Sequence, residues 1–126
     1  MRRVTILLTA VTVCSGLVVA GLVNAQKVPN AVSRHFEVRM VGGNAFDPPT
    51  IDVSVGDTVT WINDDENSVH TATSEDNGTT FDTSNVTQFG HSARIKRFDA
   101  AGTISYHCKK HPGTMRAKVI VAATNP

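Results

Sequence analysis

Apolar and polar residues alternate in short bursts along most of this chain. In 35–41, Phe36, Val38 and Met40 fall on one face and His35, Glu37 and Arg39 on the other. Ile51, Val53 and Val55 repeat the pattern in 50–55. A period of two is that of a strand with one face buried. Residues 58–63 (TVTWIN) are β-branched or aromatic at most positions and predict a further strand. Shorter β-type segments follow at 69–73, 92–98, 103–108 and 117–121. Turn signals separate them: Gly42-Gly43-Asn44, Asp47-Pro48-Pro49, Gly56-Asp57, Asn77-Gly78 and Ala101-Gly102, with a polar loop at 63–68 (NDDENS). No run sustains a helical period. Strands recurring about every ten residues predict an all-β chain, an antiparallel sandwich or barrel.

The first residues follow a different logic. Arg2 and Arg3 precede an uncharged run from Val4 to Gln26, and the small residue Ala25 follows Val23-Asn24. A basic start, an apolar middle and a small-residue exit are the marks of a secretory signal peptide. The expected division is a signal peptide over 1–25, a polar leader over 26–33 and one folded domain over 34–126. The product is then exported, periplasmic or extracellular. An uncleaved anchor is the alternative, because the run reaches the ~20 apolar residues that span a bilayer; Thr5, Thr9, Thr12, Ser15, Gly16 and Gly21 dilute it. Cys14 does not complete a lipid-attachment signal, since β-branched Val13 stands where a small residue is wanted.

Charge excludes one class of partner. Of twelve Lys and Arg, Arg2 and Arg3 leave with the signal, so ten remain against eleven Asp and Glu. This balance is no footprint for nucleic acid. The cysteines are more informative. The chain has two, and removal of Cys14 leaves Cys108 without a partner for an intrachain disulfide. An unpaired thiol in an exported protein oxidises or cross-links unless something occupies it, and a metal ion does so.

The residues around Cys108 supply the rest of a metal site. Cys108, His111 and Met115 stand as C-x2-H-x3-M in the segment YHCKKHPGTM, and His70 lies upstream at the edge of a predicted strand. Two imidazoles, a thiolate and a thioether are the ligand types of a blue-copper electron-transfer site. Cu(I) favours soft sulfur and Cu(II) favours nitrogen, so this set satisfies neither state fully and little has to move when an electron comes or goes. Three ligands on one loop between strands make a one-sided cage, and a rigid sandwich can bring the fourth beside it.

On these residues the chain resembles a small cupredoxin of the plastocyanin, amicyanin and pseudoazurin kind, over about 34–122. The segments that carry the likeness are Phe46-Asp47-Pro48 with Ile51, Val55-Gly56-Asp57-Thr58-Val59-Thr60-Trp61, Val69-His70-Thr71, Phe81-Asp82-Thr83 and Gly102-Thr103-Ile104-Ser105-Tyr106-His107-Cys108. The resemblance implies a Greek-key β-sandwich of about eight strands. It implies one type 1 copper ion held by His70, Cys108, His111 and Met115. It also implies redox protein partners docking near the edge of His111, over an apolar patch that includes Pro112 and Gly113. One departure concerns the loop: comparable family loops place two or four residues between the second His and the Met, and here there are three. Gly113 offers unusual dihedrals to close it. If Met115 misses the metal, the site is three-coordinate or takes a backbone carbonyl such as that of Val69.

Other residues have plainer readings. His107 neighbours Cys108, so alternation turns it to the other face. His35 and His91 have no partner pattern, and Trp61 and Phe98 are core. Lys109, Lys110, Arg116 and Lys118 form a basic patch that is either a solvated face or a docking surface. The function that follows is a soluble, monomeric one-electron carrier, in contact with a membrane only if the N-terminal segment stays on. A copper storage or delivery protein is the alternative, although the mature chain has only Met40 and Met115. No enzyme is expected: there is no H-x-H pair for further copper sites and no second loop cysteine for a dinuclear centre.

Overall fold

The computed structural model describes residues 32–87, 91–92 and 96–123. The expected signal peptide and residues 26–31 of the leader lie outside the described residues, as do positions 93–95 of the expected strand 92–98. Among the described residues there are strands and no helix. In chain order they are β1 (His35–Val41), β2 (Ala45–Asp47), β3 (Thr50–Ser54), β4 (Thr58–Asn63), β5 (Thr73–Ser74), β6 (His91–Ser92), β7 (Lys96–Arg97), β8 (Gly102–His107) and β9 (Arg116–Ala122). The strand β2 falls inside what the sequence marks only as turns.

Two sheets form. In one, β2, β1 and β4 lie side by side, and both β6 and β7 pair with the far edge of β4; the other runs β3-β9-β8-β5. The chain passes repeatedly from one sheet to the other, the cupredoxin-like sandwich that the sequence led us to expect. One expectation is corrected. The pairing is mixed, because β1 runs parallel to β4 and β3 parallel to β9. Side chains alternate with period two whatever the direction of the neighbour, so direction is not written in the pattern. Parallel neighbours need long crossovers, and here β2 and β3 carry the chain from β1 to β4.

The alternating positions meet between the sheets. Val38, Met40, Ile51, Val53, Val59, Val119 and Val121 are all buried. At the centre Trp61 of β4 stacks on Phe81 with ring centroids 4.6 Å apart and meets the edge of Tyr106 of β8 at 5.7 Å. Phe46 meets Tyr106 edge-on at 4.7 Å. Such contacts add about 0.5–1.5 kcal/mol per pair to simple area burial. They also tie β4 of one sheet to β8 of the other, the strand that runs directly into Cys108. Burial pushes the Tyr106 hydroxyl pKa up.

A second anchor joins the start of β1 to the turn between β3 and β4. The buried carboxylate of Asp57 accepts from the amides of Arg34 and Ser54, each at 2.8 Å, and from Arg34 Nη2 at 3.0 Å. Gly56 precedes it with a φ of 96°, a left-handed turn that suits glycine.

Candidate metal centre

Each side chain of the centre is placed by a nearby backbone pairing. In β8, Tyr106 is buried and His107 is half-buried, and the next inward position is Cys108, also buried. β5 pairs with β8 so that Thr73 faces His107 and Ser74 faces Tyr106. The residues just before β5 therefore run alongside Cys108. His70 exchanges backbone hydrogen bonds with Val86, at 3.2 and 2.8 Å, which pins this segment from its other side. The Thr71 amide donates to Cys108 Sγ at 3.3 Å.

The loop from Cys108 to Met115 closes by turns. The His111 amide donates to the Cys108 carbonyl at 3.0 Å, and the Met115 amide to the His111 carbonyl at 3.0 Å. The Cys108 amide donates to the Met115 carbonyl at 3.0 Å, which brings the chain back into β9. These turns absorb the three-residue spacing. Gly113 is not among the glycines with positive φ, so the unusual dihedrals expected of it are not what closes the loop.

The outcome is a compact donor set. His70 Nδ1 lies 3.8 Å and His111 Nδ1 3.7 Å from Cys108 Sγ. All three donor atoms lie within 4.8 Å of one another. A first-row ion bound at about 2.3 Å to sulfur and about 2.0 Å to nitrogen, at trigonal angles, sets S and N about 3.8 Å apart. Both sulfur–nitrogen separations match such an ion. His70 and Cys108 are fully buried, while His111 is only half-buried. Met115 is also fully buried, directly after the turn that follows His111.

The surroundings hold residues that the sequence reading did not assign. Asp65, in the polar loop, places Oδ2 3.0 Å from His70 Nε2. Its carboxyl is held below the usual range, first by the hydrogen bond from His70 and then by the amide of Asn67. Thr71 Oγ1 accepts from the Lys109 amide at 2.9 Å, and Asp82 Oδ2 pairs with Lys109 Nζ at 2.5 Å. The available signal was an acidic residue five positions before a ligand histidine, too general to single out without the fold. His107 turns away from the centre as alternation predicts, with Nδ1 3.2 Å from Glu75 Oε1, which also pairs with Arg116 at 2.8 Å. Half of the expected basic patch, Lys109 and Arg116, is thus engaged with acidic neighbours. His35 binds Thr58 at 2.9 Å, apart from the centre.

A family model for copper binding proteins of the plastocyanin/azurin family matches residues 35–122. The chain belongs to that family. It is a copper protein of the blue, cupredoxin kind and an electron-transfer protein in the broad sense of that family. Among solved structures, a mutant amicyanin in the reduced state is 31% identical with a TM-score of 0.56, over 69% of this chain and 81% of that one. A mutant amicyanin in the Cu(I) form is 28% identical with a TM-score of 0.56, over 73% of this chain and 86% of that one. A purple cupredoxin from Nitrosopumilus maritimus is 27% identical with a TM-score of 0.59, over 68% of this chain and 98% of that one. Comparison with curated protein sequences finds no match.

Proposed function

We propose that this cupredoxin is a soluble one-electron carrier in which His70, Cys108, His111 and Met115 would hold a single type 1 copper ion. The observation that carries the reading is the convergence of His70 Nδ1, Cys108 Sγ and His111 Nδ1 within 4.8 Å in a largely buried pocket. Bound copper supplies a one-electron couple. The protein supplies a thiolate, two imidazoles and a thioether, held by the β5–β8 pairing, the Val86 bridge and the loop turns. Rigid support of this kind keeps geometry similar in both oxidation states. The Thr71 amide offsets part of the negative charge on sulfur. This is a carrier's equipment rather than an enzyme's.

The half-buried ring of His111 is the proposed contact for a redox protein, as donor or as acceptor. Pro112, Gly113 and Lys110 are exposed around it. The proposal extends to export: cleavage after Ala25 releases a monomeric chain over 26–126, a short leader and the domain over 34–126, to the periplasm or exterior. No helix among the described residues is long and apolar enough to cross a membrane.

The decisive experiment loads the purified protein with copper, counts metal per chain and records the visible spectrum. One copper per chain and an intense blue colour that a mild reductant bleaches reversibly are expected. A protein that refuses copper, or holds only colourless Cu(I), overturns the carrier reading and in the second case favours delivery. Exchange rates with a partner should fall as salt rises if Lys110 and Lys118 steer docking.

A further inference from the structure

The loop before His70 is built more carefully than a connection requires. Asn63, at the end of β4, is fully buried. Its Nδ2 donates to the carbonyls of Ser68 at 2.8 Å and Val86 at 2.9 Å, and its Oδ1 accepts from the Asp65 amide at 3.0 Å. Asp65 Oδ1 then accepts from the Asn67 amide at 2.9 Å. With the loop held at both ends, Asp65 Oδ2 is left facing His70 Nε2 at 3.0 Å, with side-chain exposures of 7% and 0%. An ionised carboxylate only accepts, so Nε2 carries the proton. The lone pair is then on Nδ1, the nitrogen that faces Cys108 Sγ. Among the described residues no carboxylate is bonded to His111, so the two histidines are not equivalent.

We propose that Asp65 is a positioning residue of the centre, which acts through His70 to fix the Nε2–H tautomer and to hold the copper reduction potential below what the four ligands alone would set. This inference rests on the type 1 copper reading. A carboxylate bonded to the far N–H of an imidazole orients the ring and makes the ligating nitrogen more basic. Stronger nitrogen donation stabilises Cu(II) relative to Cu(I), which prefers soft sulfur. Burial strengthens the effect, because little water screens the charge. Both carboxylate oxygens accept from N–H groups, so an amide in its place satisfies only one of them.

Redox titration of the copper-loaded protein and its Asp65→Asn and Asp65→Glu variants tests this, together with nitrogen NMR of the copper-free protein. We expect His70 of the copper-free protein to be in the Nε2–H tautomer. Asp65→Asn should weaken the preference for Cu(II) about tenfold, which raises the potential by about 59 mV. Asp65→Glu, which keeps the charge on a longer stem, should recover part of that shift. The inference is overturned if His70 carries its proton on Nδ1, if Asp65→Asn matches the parent potential, or if Asp65→Glu shifts it as far as Asp65→Asn. A parent protein that takes no blue copper overturns the carrier reading and this inference with it; a blue parent with an unmoved Asp65→Asn variant overturns this inference alone.

Discussion

The amide of Thr71 donates to Cys108 Sγ across 3.3 Å, joining residues 37 positions apart. Its hydroxyl takes a second bond, from the Lys109 amide at 2.9 Å. One residue next to a ligand histidine thus braces both the thiol and the loop that follows it. Thr71→Val keeps the first bond and removes the hydroxyl that accepts from the Lys109 amide and from Thr73 Oγ1 at 3.3 Å. It should retain the blue colour while lowering stability by about 1–2 kcal/mol, the cost of leaving a mostly buried donor unmade. Urea melts alongside the visible spectrum would show this; a loss of colour would mean that the hydroxyl shapes the metal site itself.

Burial predicts that the two histidines respond differently to removal. His111 is half-buried and His70 is fully enclosed beside Asp65. In His111→Gly, added imidazole can enter from solvent and should restore the blue spectrum. In His70→Gly it should not, because no open path leads to the gap and Asp65 is left without its donor. Spectra recorded during imidazole titration of both variants decide the point.

Met115→Leu tests the assignment of Met115 as a ligand. Leucine and methionine have similar volumes, and such exchanges in a core usually cost less than about 1.5 kcal/mol. His70, Cys108 and His111 stay in place, so the colour should persist. Loss of the thioether removes a donor that helps to stabilise Cu(II), so the reduction potential should rise. An unchanged potential would place Met115 in the core and out of the coordination sphere.

Acid should unfold the copper-free domain through a small set of aspartates. Burial opposes ionisation of Asp57, but the amides of Arg34 and Ser54 and the Arg34 guanidinium outweigh it and hold its carboxyl below the ordinary value of 3.8. Hydrogen bonds from Ser74 and then Thr80 hold Asp76 at about 2. Folded carboxyl groups with depressed pKa values contribute stability that is full above the unfolded value and lost as pH falls through the folded one. Stability should therefore hold down to about pH 4 and decline towards pH 2. Asp57→Ala leaves buried amides without an acceptor and should cost about 2–3 kcal/mol at neutral pH, with a shallower acid limb. Denaturant melts from pH 7 to pH 2 measure both.

The proposed loop ligands were readable because they are local. Cys108, His111 and Met115 lie on eight consecutive residues, so one short motif declares their chemistry. His70 was readable only in company, since a lone histidine has no distinguishing mark until a thiol and a second imidazole give it a purpose. Asp65 was not readable. It looks like any member of a polar loop, and its role arises from the Asn63 bonds that turn one carboxylate oxygen inward.

Strand periodicity, turn residues and the donor types around Cys108 are properties of neighbours along the chain. They were enough to predict an all-β sandwich or barrel and copper-type donor residues. The parallel pairings of β1 with β4 and β3 with β9, the turns that close the Cys108–Met115 loop, and the carboxylate behind His70 are properties of neighbours in space. Alternation says which face of a strand is apolar but not which strand lies beside it. The contacts around the candidate centre depend on that choice of neighbour.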